Sequence, residues 1–377
     1  KNGPFGLWLT TPGLTYEETL SHCDLPRAEQ RGVSFEPEAF HRVAVDMLEE
    51  TGNCRIMRNT TFTAVEFSGK RLQAVIVEPN GGQPIRVEAK VFIDSTGGVQ
   101  LCRAAGFETM LGPDLRSRFG ERFAPEEPDT VLNAISLCYR ITPCENPRRA
   151  IPPEPPVKRW PRSAHCNGLP GGDIIVNPLA TIPGRDLIDL GDEECMARAK
   201  RIVQAQWCWL QQIPTFAGYQ FHSFAPALGI RESYRVVTEY VLRQQDLEAG
   251  LSGQAHPDII AVADHSMDVH GAGSKRVSGH LNGPYGIPYR CLIPRGSENV
   301  LVACRGAGFS HIAASSCRLS RTIIQIGHAA GLAAAMAAEK SVPVSEVDTN
   351  VLRQILRPEE RCHLFDGTHQ VPQRIKL

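Results

Sequence analysis

The sequence predicts an α/β fold, and three observations lead to it. A buried-strand pattern runs into a glycine turn and then a helix twice, at 91–105 and at 299–338. A set of β-rich runs joined by tight turns precedes the first of these units. Between the two units lies a block from about 107 to 284 whose proline content and periodicity differ from both flanks. It reads as an inserted α+β domain.

The elements follow in order. Pro37 suits a first helical turn, and Phe40, Val43, Ala44, Met47 and Leu48 fall at helical spacing before Gly52 closes the segment. A short strand is predicted at Arg55–Met57. The runs Thr61–Phe67 and Leu72–Glu78 are separated by Ser68-Gly69-Lys70, and Asn80-Gly81-Gly82 turns the chain into Ile85–Lys90. These runs predict a three-stranded meander. Val91–Asp94 is a buried strand, Ser95-Thr96-Gly97-Gly98 a turn and Val99–Ala105 a helix. That geometry brings backbone N–H groups and a helix N-terminus to a phosphate or a ring edge, although an ordinary strand-to-helix turn reads the same way.

In the central block, Pro143–Pro161 is proline-rich and reads as an extended loop. Helices are predicted at Arg198–Ile213 and Ile230–Gln245. Trp207 and Trp209 lie two apart, on different sides of the first helix, which suits core packing better than a stacking platform. After Pro288 the strand Asn299–Cys304 leads through Arg305-Gly306-Ala307-Gly308-Phe309-Ser310-His311 into a helix over Ala313–Ala338. The glycines form two thirds of a dinucleotide fingerprint, with no acidic residue near the position about 20 residues on that would hold a ribose.

Composition narrows the function classes. The 377 residues carry 40 Lys+Arg against 41 Asp+Glu, a net charge of −1. That balance excludes reliance on a basic field for nucleic acid or an anionic membrane. The 12 cysteines are scattered with no C-x-x-C pair, which disfavours zinc and most iron–sulfur sites; reduced, structural thiols and no metal are expected. The apolar stretch Ile323–Ala338 carries Gln325 and His328 and ends at Glu339, so a buried Ala/Gly-rich helix is expected rather than a membrane span. Lys1 opens the sequence with neither a Met nor a signal peptide, as if a segment precedes it.

Three blocks carry a resemblance. Ala89–Gly98, Gly229–Val237, and Tyr285–Arg290 continuing through Leu292–Pro294 and Asn299–Arg305 to Gly331 resemble the bacterial FAD-dependent oxidoreductases of the glutathione-reductase-like flavoprotein fold. The resemblance implies a FAD/NAD(P)-binding Rossmann-like domain over 1–130 and 285–377, with an inserted substrate domain over 131–284. It also implies an incomplete N-terminus, because the opening strand, G-x-G-x-x-G and helix of that family are not in the sequence. Cys304 stands where the family usually has glycine, His328 replaces a glutamine, and Gly98 replaces an acidic residue.

The implied cofactor is FAD, contacted by Asp94, Thr96, Gly97, Arg305, Gly306, Ser310, His311, Ile312 and Arg318. The implied catalytic residues are His311, His270 and Arg231. His311 either transfers a proton beside the ring or caps a helix. Asp268 and His270 form an acid/base pair or a structural hydrogen bond. Arg231, Arg235 and Arg290 either bind a substrate carboxylate or pair with Glu232 and Glu239. The expected activity is hydride transfer between flavin and a small organic substrate in a soluble, cytoplasmic protein. A truncated or degenerate flavoprotein subunit and a flavin-dependent hydroxylase are the alternatives. Expected partners are the substrate, and a missing N-terminal segment or a second copy of the chain.

Overall fold

The computed structural model describes residues 7–10, 36–169, 171–270, 277–279, 281, 283–358 and 373–374, with only the backbone described at 7–10, 277–278 and 373–374. They fall into two compact units, one from residues 1–55, 134–230 and 366–377 and the other from 56–133 and 231–365. The fold is mixed α/β.

The first unit is built on a six-stranded sheet in the order Tyr219–Phe224, Tyr139–Pro143, Ile174–Asn177, Ala164–Gly168, Leu7–Thr10, Gln373–Arg374. Three of its strands, Tyr139–Pro143, Ala164–Gly168 and Ile174–Asn177, alternate buried with more exposed residues, so one face is apolar there and needs cover. The helix Asp186–Leu210 supplies it with Cys195, Ala199, Val203 and Leu210, all fully buried. Gly191 interrupts that helix at φ +82°, so its regular part begins beyond the glycine. Trp207 is 3% exposed and lies in this core, as its spacing implied. The helix Pro37–Glu50 forms as the periodicity predicts, but none of its residues is buried.

The second unit carries the meander Thr60–Ser68, Arg71–Pro79, Ile85–Glu88 in sequential order. Asn299 locks it to the unit's core. Its amide oxygen accepts from the Leu72 N–H at 2.9 Å, and its amide nitrogen donates to the Leu72 carbonyl at 2.8 Å. Phe92–Asp94 and Val300–Val302 pair in parallel, so both glycine turns leave the same end of one two-stranded ladder. Ligands of parallel α/β sheets are received at that carboxyl end.

Three predicted elements differ. Arg55–Met57 is not a strand, and among the described residues no strand pairs with it. Ile230–Gln245 is not a helix: Arg235–Val236 pairs with Thr109–Met110, and the Val237 N–H donates to the Glu108 carbonyl. The β-branched pair Val236-Val237, both buried, serves a ladder better than a helix. The helix expected over Ala313–Ala338 is two, His311–Cys317 and Ser320–Lys340, broken where Leu319 turns extended at ψ 147°. The second buries Ile326, Ala329, Ala330, Ala333 and Ala337 along one face, while Ile324 is 61% exposed. Among the described residues no helix is long and apolar enough to cross a membrane.

Candidate functional site

All of the sequence-predicted site residues lie in the second unit. The first glycine turn is shaped by Asp94, which is 1% exposed. Its Oδ1 accepts from the Thr96 N–H at 3.0 Å and the Thr96 hydroxyl at 2.7 Å, and its Oδ2 accepts from the Cys102 N–H at 3.0 Å. Thr96 Oγ1 then accepts from the Gln100 N–H at 2.8 Å. Asp94 and Thr96 thus build the turn and present Gly97 at φ +74°, a backbone conformation glycine adopts freely.

Arg305 lies against that glycine: a Cβ at Gly97 would stand 2.3 Å from Arg305 Nη1. Its Nε is buried without a hydrogen-bond partner, and burial pushes its pKa down. No carboxylate among the described residues is paired with it. A half-buried cation at a glycine turn, with a donor left over, has the chemistry to receive an anionic oxygen. Gly306 is a glycine for a different reason, since a Cβ there would sit 2.8 Å from the Tyr234 carbonyl oxygen. Its open side faces the chain itself.

The first turn of the helix His311–Cys317 is already served by side chains. Ser310 caps it, accepting from the Ala313 N–H at 3.1 Å, and the His311 N–H donates to Asp114 Oδ2 at 2.9 Å. The Ser310 hydroxyl donates to Glu121, whose carboxyl burial pushes up. Ile312 is 2% exposed and belongs to the core.

Beside this helix stands the polar cluster that joins the remaining residues. His311 Nδ1 lies 2.6 Å from Glu232 Oε1. Burial would raise the Glu232 carboxyl, but the charge and hydrogen bond of His311, with Arg235 and the Asn133 N–H, hold it down to about 2. An ionised carboxylate only accepts, so Nδ1 carries the proton and Nε2 is left for exchange. Asn133 extends the chain of contacts: its side-chain nitrogen donates to Glu232 at 2.9 Å, and its oxygen accepts from the His270 N–H at 2.7 Å. His270 Nε2 meets Asp268 Oδ2 at 2.5 Å, and Arg318 Nη2 stands 3.6 Å from the same oxygen. Burial and the charge of neighbouring Arg231 push Arg318 down to about 10.

His311, His270 and Arg318 are therefore linked in one network through Glu232, Asn133 and Asp268, with Arg231 beside Arg318 as a like charge. Ser233 ties it to the first turn, its hydroxyl donating to the Gly97 carbonyl at 3.2 Å, while the adjacent Glu232 holds His311. Arg235 and Arg290 do not share in it as open cations. Arg235 is 1% exposed and pairs with Asp114 at 2.9 Å; Arg290 grips Asp258 through two nitrogens at 3.0 Å. Sequence reasoning named Glu232 only as a partner for arginines and missed Asn133, Asp114 and Glu121 altogether. Asp114 and Glu121 sit in an aperiodic stretch whose neighbours are set by residues more than a hundred positions away.

The sequence profile of the FAD dependent oxidoreductase family matches residues 13–356. The chain belongs to that family. FAD is its cofactor, and the unpartnered Arg305 nitrogen beside the Cβ-free Gly97 turn fits an anionic, phosphate-bearing group of this kind. No curated protein sequence matches the chain. Among solved structures it is similar to a geranylgeranyl bacteriochlorophyll reductase-like protein of Thermoplasma acidophilum (12% identity, 89% of this chain, 64% of that one, TM-score 0.41). It is also similar to the myxobacterial chondrochloren halogenase, an FAD-dependent halogenase (11%, 88% and 57%, 0.34), and to a flavin-dependent halogenase of Brevundimonas (11%, 86% and 44%, 0.28). This chain of the FAD-dependent oxidoreductase family spans less than two thirds of the length of each.

Proposed function

We propose that the chain transfers a hydride between FAD and a small organic substrate, with His311 handling the accompanying proton. The buried His311–Glu232 pair carries this reading, because Ser233, next in sequence, contacts the Gly97 turn. Bound FAD supplies the two-electron chemistry. The chain's residues do the rest. The Gly97 turn and Arg305 hold the cofactor's anionic part, the ionised Glu232 orients the imidazole, and Nε2 takes or returns a proton at a substrate heteroatom. Asp268 orients His270 in the same way.

The finer architecture belongs to the same proposal. It comprises a Rossmann-like FAD-binding domain over 1–130 and 285–377 and an inserted substrate domain over 131–284. Supporting it are the two strand-to-helix turns on one parallel ladder. Of its boundaries, the one at 130/131 lies near the changeover of the compact units at 133/134; those units also change over at 55/56, 230/231 and 365/366.

His311→Ala tests the proton role. Flavin reduction by substrate is expected to fall by about 100-fold or more, with flavin content and melting temperature changing far less. Parental reduction rates in the variant would overturn the role of His311. A purified chain without flavin absorbance that also ignores added FAD would overturn cofactor binding by these residues.

A further inference from the structure

Arginines are abundant in the second unit, and the structure accounts for most of them internally. Arg235 is spent on Asp114, Arg290 on Asp258, and Arg321 on Asp264 through Nε at 3.1 Å. Arg318 is different. It closes the helix His311–Cys317, its side chain is 12% exposed, and its Nε is buried with no hydrogen-bond partner; the Nε of Arg235 is too, but that guanidinium is held through its other nitrogens by Asp114 and the Phe309 and Gly112 carbonyls. The nearest carboxylate oxygen, Asp268 Oδ2, stands 3.6 Å away and is already engaged at 2.5 Å by His270. The other carboxylate of the cluster, Glu232, is engaged by His311 and Asn133.

Burial beside a second arginine makes the arrangement costly for Arg318. Desolvation and the like charge of Arg231 are the two largest influences on it, and both oppose its charged form. A guanidinium in this position gains from an anion that brings two oxygens in one plane, which a carboxylate does and an alcohol or ketone does not. Asn133 bridges the two histidines of the cluster, its side-chain nitrogen donating to the Glu232 that holds the His311 imidazole and its oxygen accepting from the His270 backbone N–H. A substrate anchored at Arg318 is thereby presented to the residue that handles the proton.

We propose that the substrate is an organic acid, and that its carboxylate is received by Arg318 with Arg231 beside it, so that Arg318 is a substrate residue rather than a cofactor residue. The inference rests on the oxidoreductase reading above, but its test is separable. The FAD-loaded protein is titrated with acetate, succinate and benzoate, and with benzamide as the uncharged counterpart of benzoate. Binding is read both by calorimetry and by the change in the visible flavin spectrum.

At least one of the acids is expected to bind saturably, and benzamide at least tenfold more weakly than benzoate wherever benzoate binds. Arg318→Gln is expected to weaken the acid by roughly 10- to 100-fold with flavin content unchanged, and Arg318→Lys to restore part of the loss. Arg290→Gln, outside the cluster, is expected to leave acid affinity at the parental value. Four results would each overturn the proposal: no acid binds, benzamide matches benzoate, Arg318→Gln binds the acid as the parent does, or Arg318→Gln loses flavin. Calorimetry reports acid binding even if the protein holds no flavin. Failure of the cofactor reading and failure of the acid site are thus distinguishable. A soluble Arg318→Lys with a parental melting temperature excludes misfolding as the cause of any loss.

Discussion

At the scale of single residues, the site is governed by which buried charges find partners. Glu232 is 3% exposed and ionised because three positive or donor groups converge on it. Glu232→Gln removes the charged half of the buried pair with His311, while Arg235 keeps Asp114, so a loss of about 3 kcal/mol is expected, measured by urea denaturation. The sign of the pH dependence follows from the depressed carboxyl. The stabilisation is fully present above the ordinary value of 4.5 and is lost as pH falls toward about 2. The gap between parent and variant should therefore narrow across that window; a gap that widens there would contradict the pairing.

Glu121 is the opposite case. Burial raises its carboxyl, and its Oε2 is buried without a partner. Burial favours its protonated form, so its contribution is present below 4.5 and lost as pH rises through the raised value. Glu121→Gln retains an acceptor for the Gln244 N–H and the Ser310 hydroxyl while removing the charge. Its melting temperature is expected to exceed that of the parent by a few degrees at pH 8 and by much less at pH 4. Equal shifts at both pH values would refute the assignment. Neither carboxylate was legible as a key group in sequence, because nothing in the residues around Glu121 reports a partner at Ser310.

Elements were read better than contacts, and for a physical reason. The meander, the strand Phe92–Asp94 and the helix Pro37–Glu50 are local, since alternation, helical spacing and glycine turns act over a few residues. The segment after Gly229 was misread because its valines suit either period. Ladder partners at Glu108 and Met110 decided the matter. The break at Leu319 falls in Arg318-Leu319-Ser320-Arg321, where no glycine or proline announces it. The Gly97 turn was legible and makes a prediction of its own. Gly97→Ala strains a left-handed backbone by about 1–2 kcal/mol and drives a methyl into Arg305. Flavin retention on gel filtration is expected to fall clearly, with a smaller change in melting temperature. Unchanged retention would separate the turn from the cofactor.

For the whole molecule, the net charge of −1 carries a testable consequence. Without a basic field, no shift of duplex DNA is expected at about 0.15 M salt; submicromolar binding there would contradict it.

The sequence by itself determined the family, the cofactor class and the two glycine turns, because glycine placement and strand patterns are local and survive translation into structure. Tertiary structure decided the allocation of charge. Arg235 and Arg318 both keep a buried, unsatisfied Nε, yet one guanidinium is paired with Asp114 at 2.9 Å while the other comes no nearer to a carboxylate than the 3.6 Å to Asp268. Burial and counter-charge depend on residues brought together across long stretches of chain, and a buried cation costs or gains according to what faces it. That is information a linear pattern does not hold.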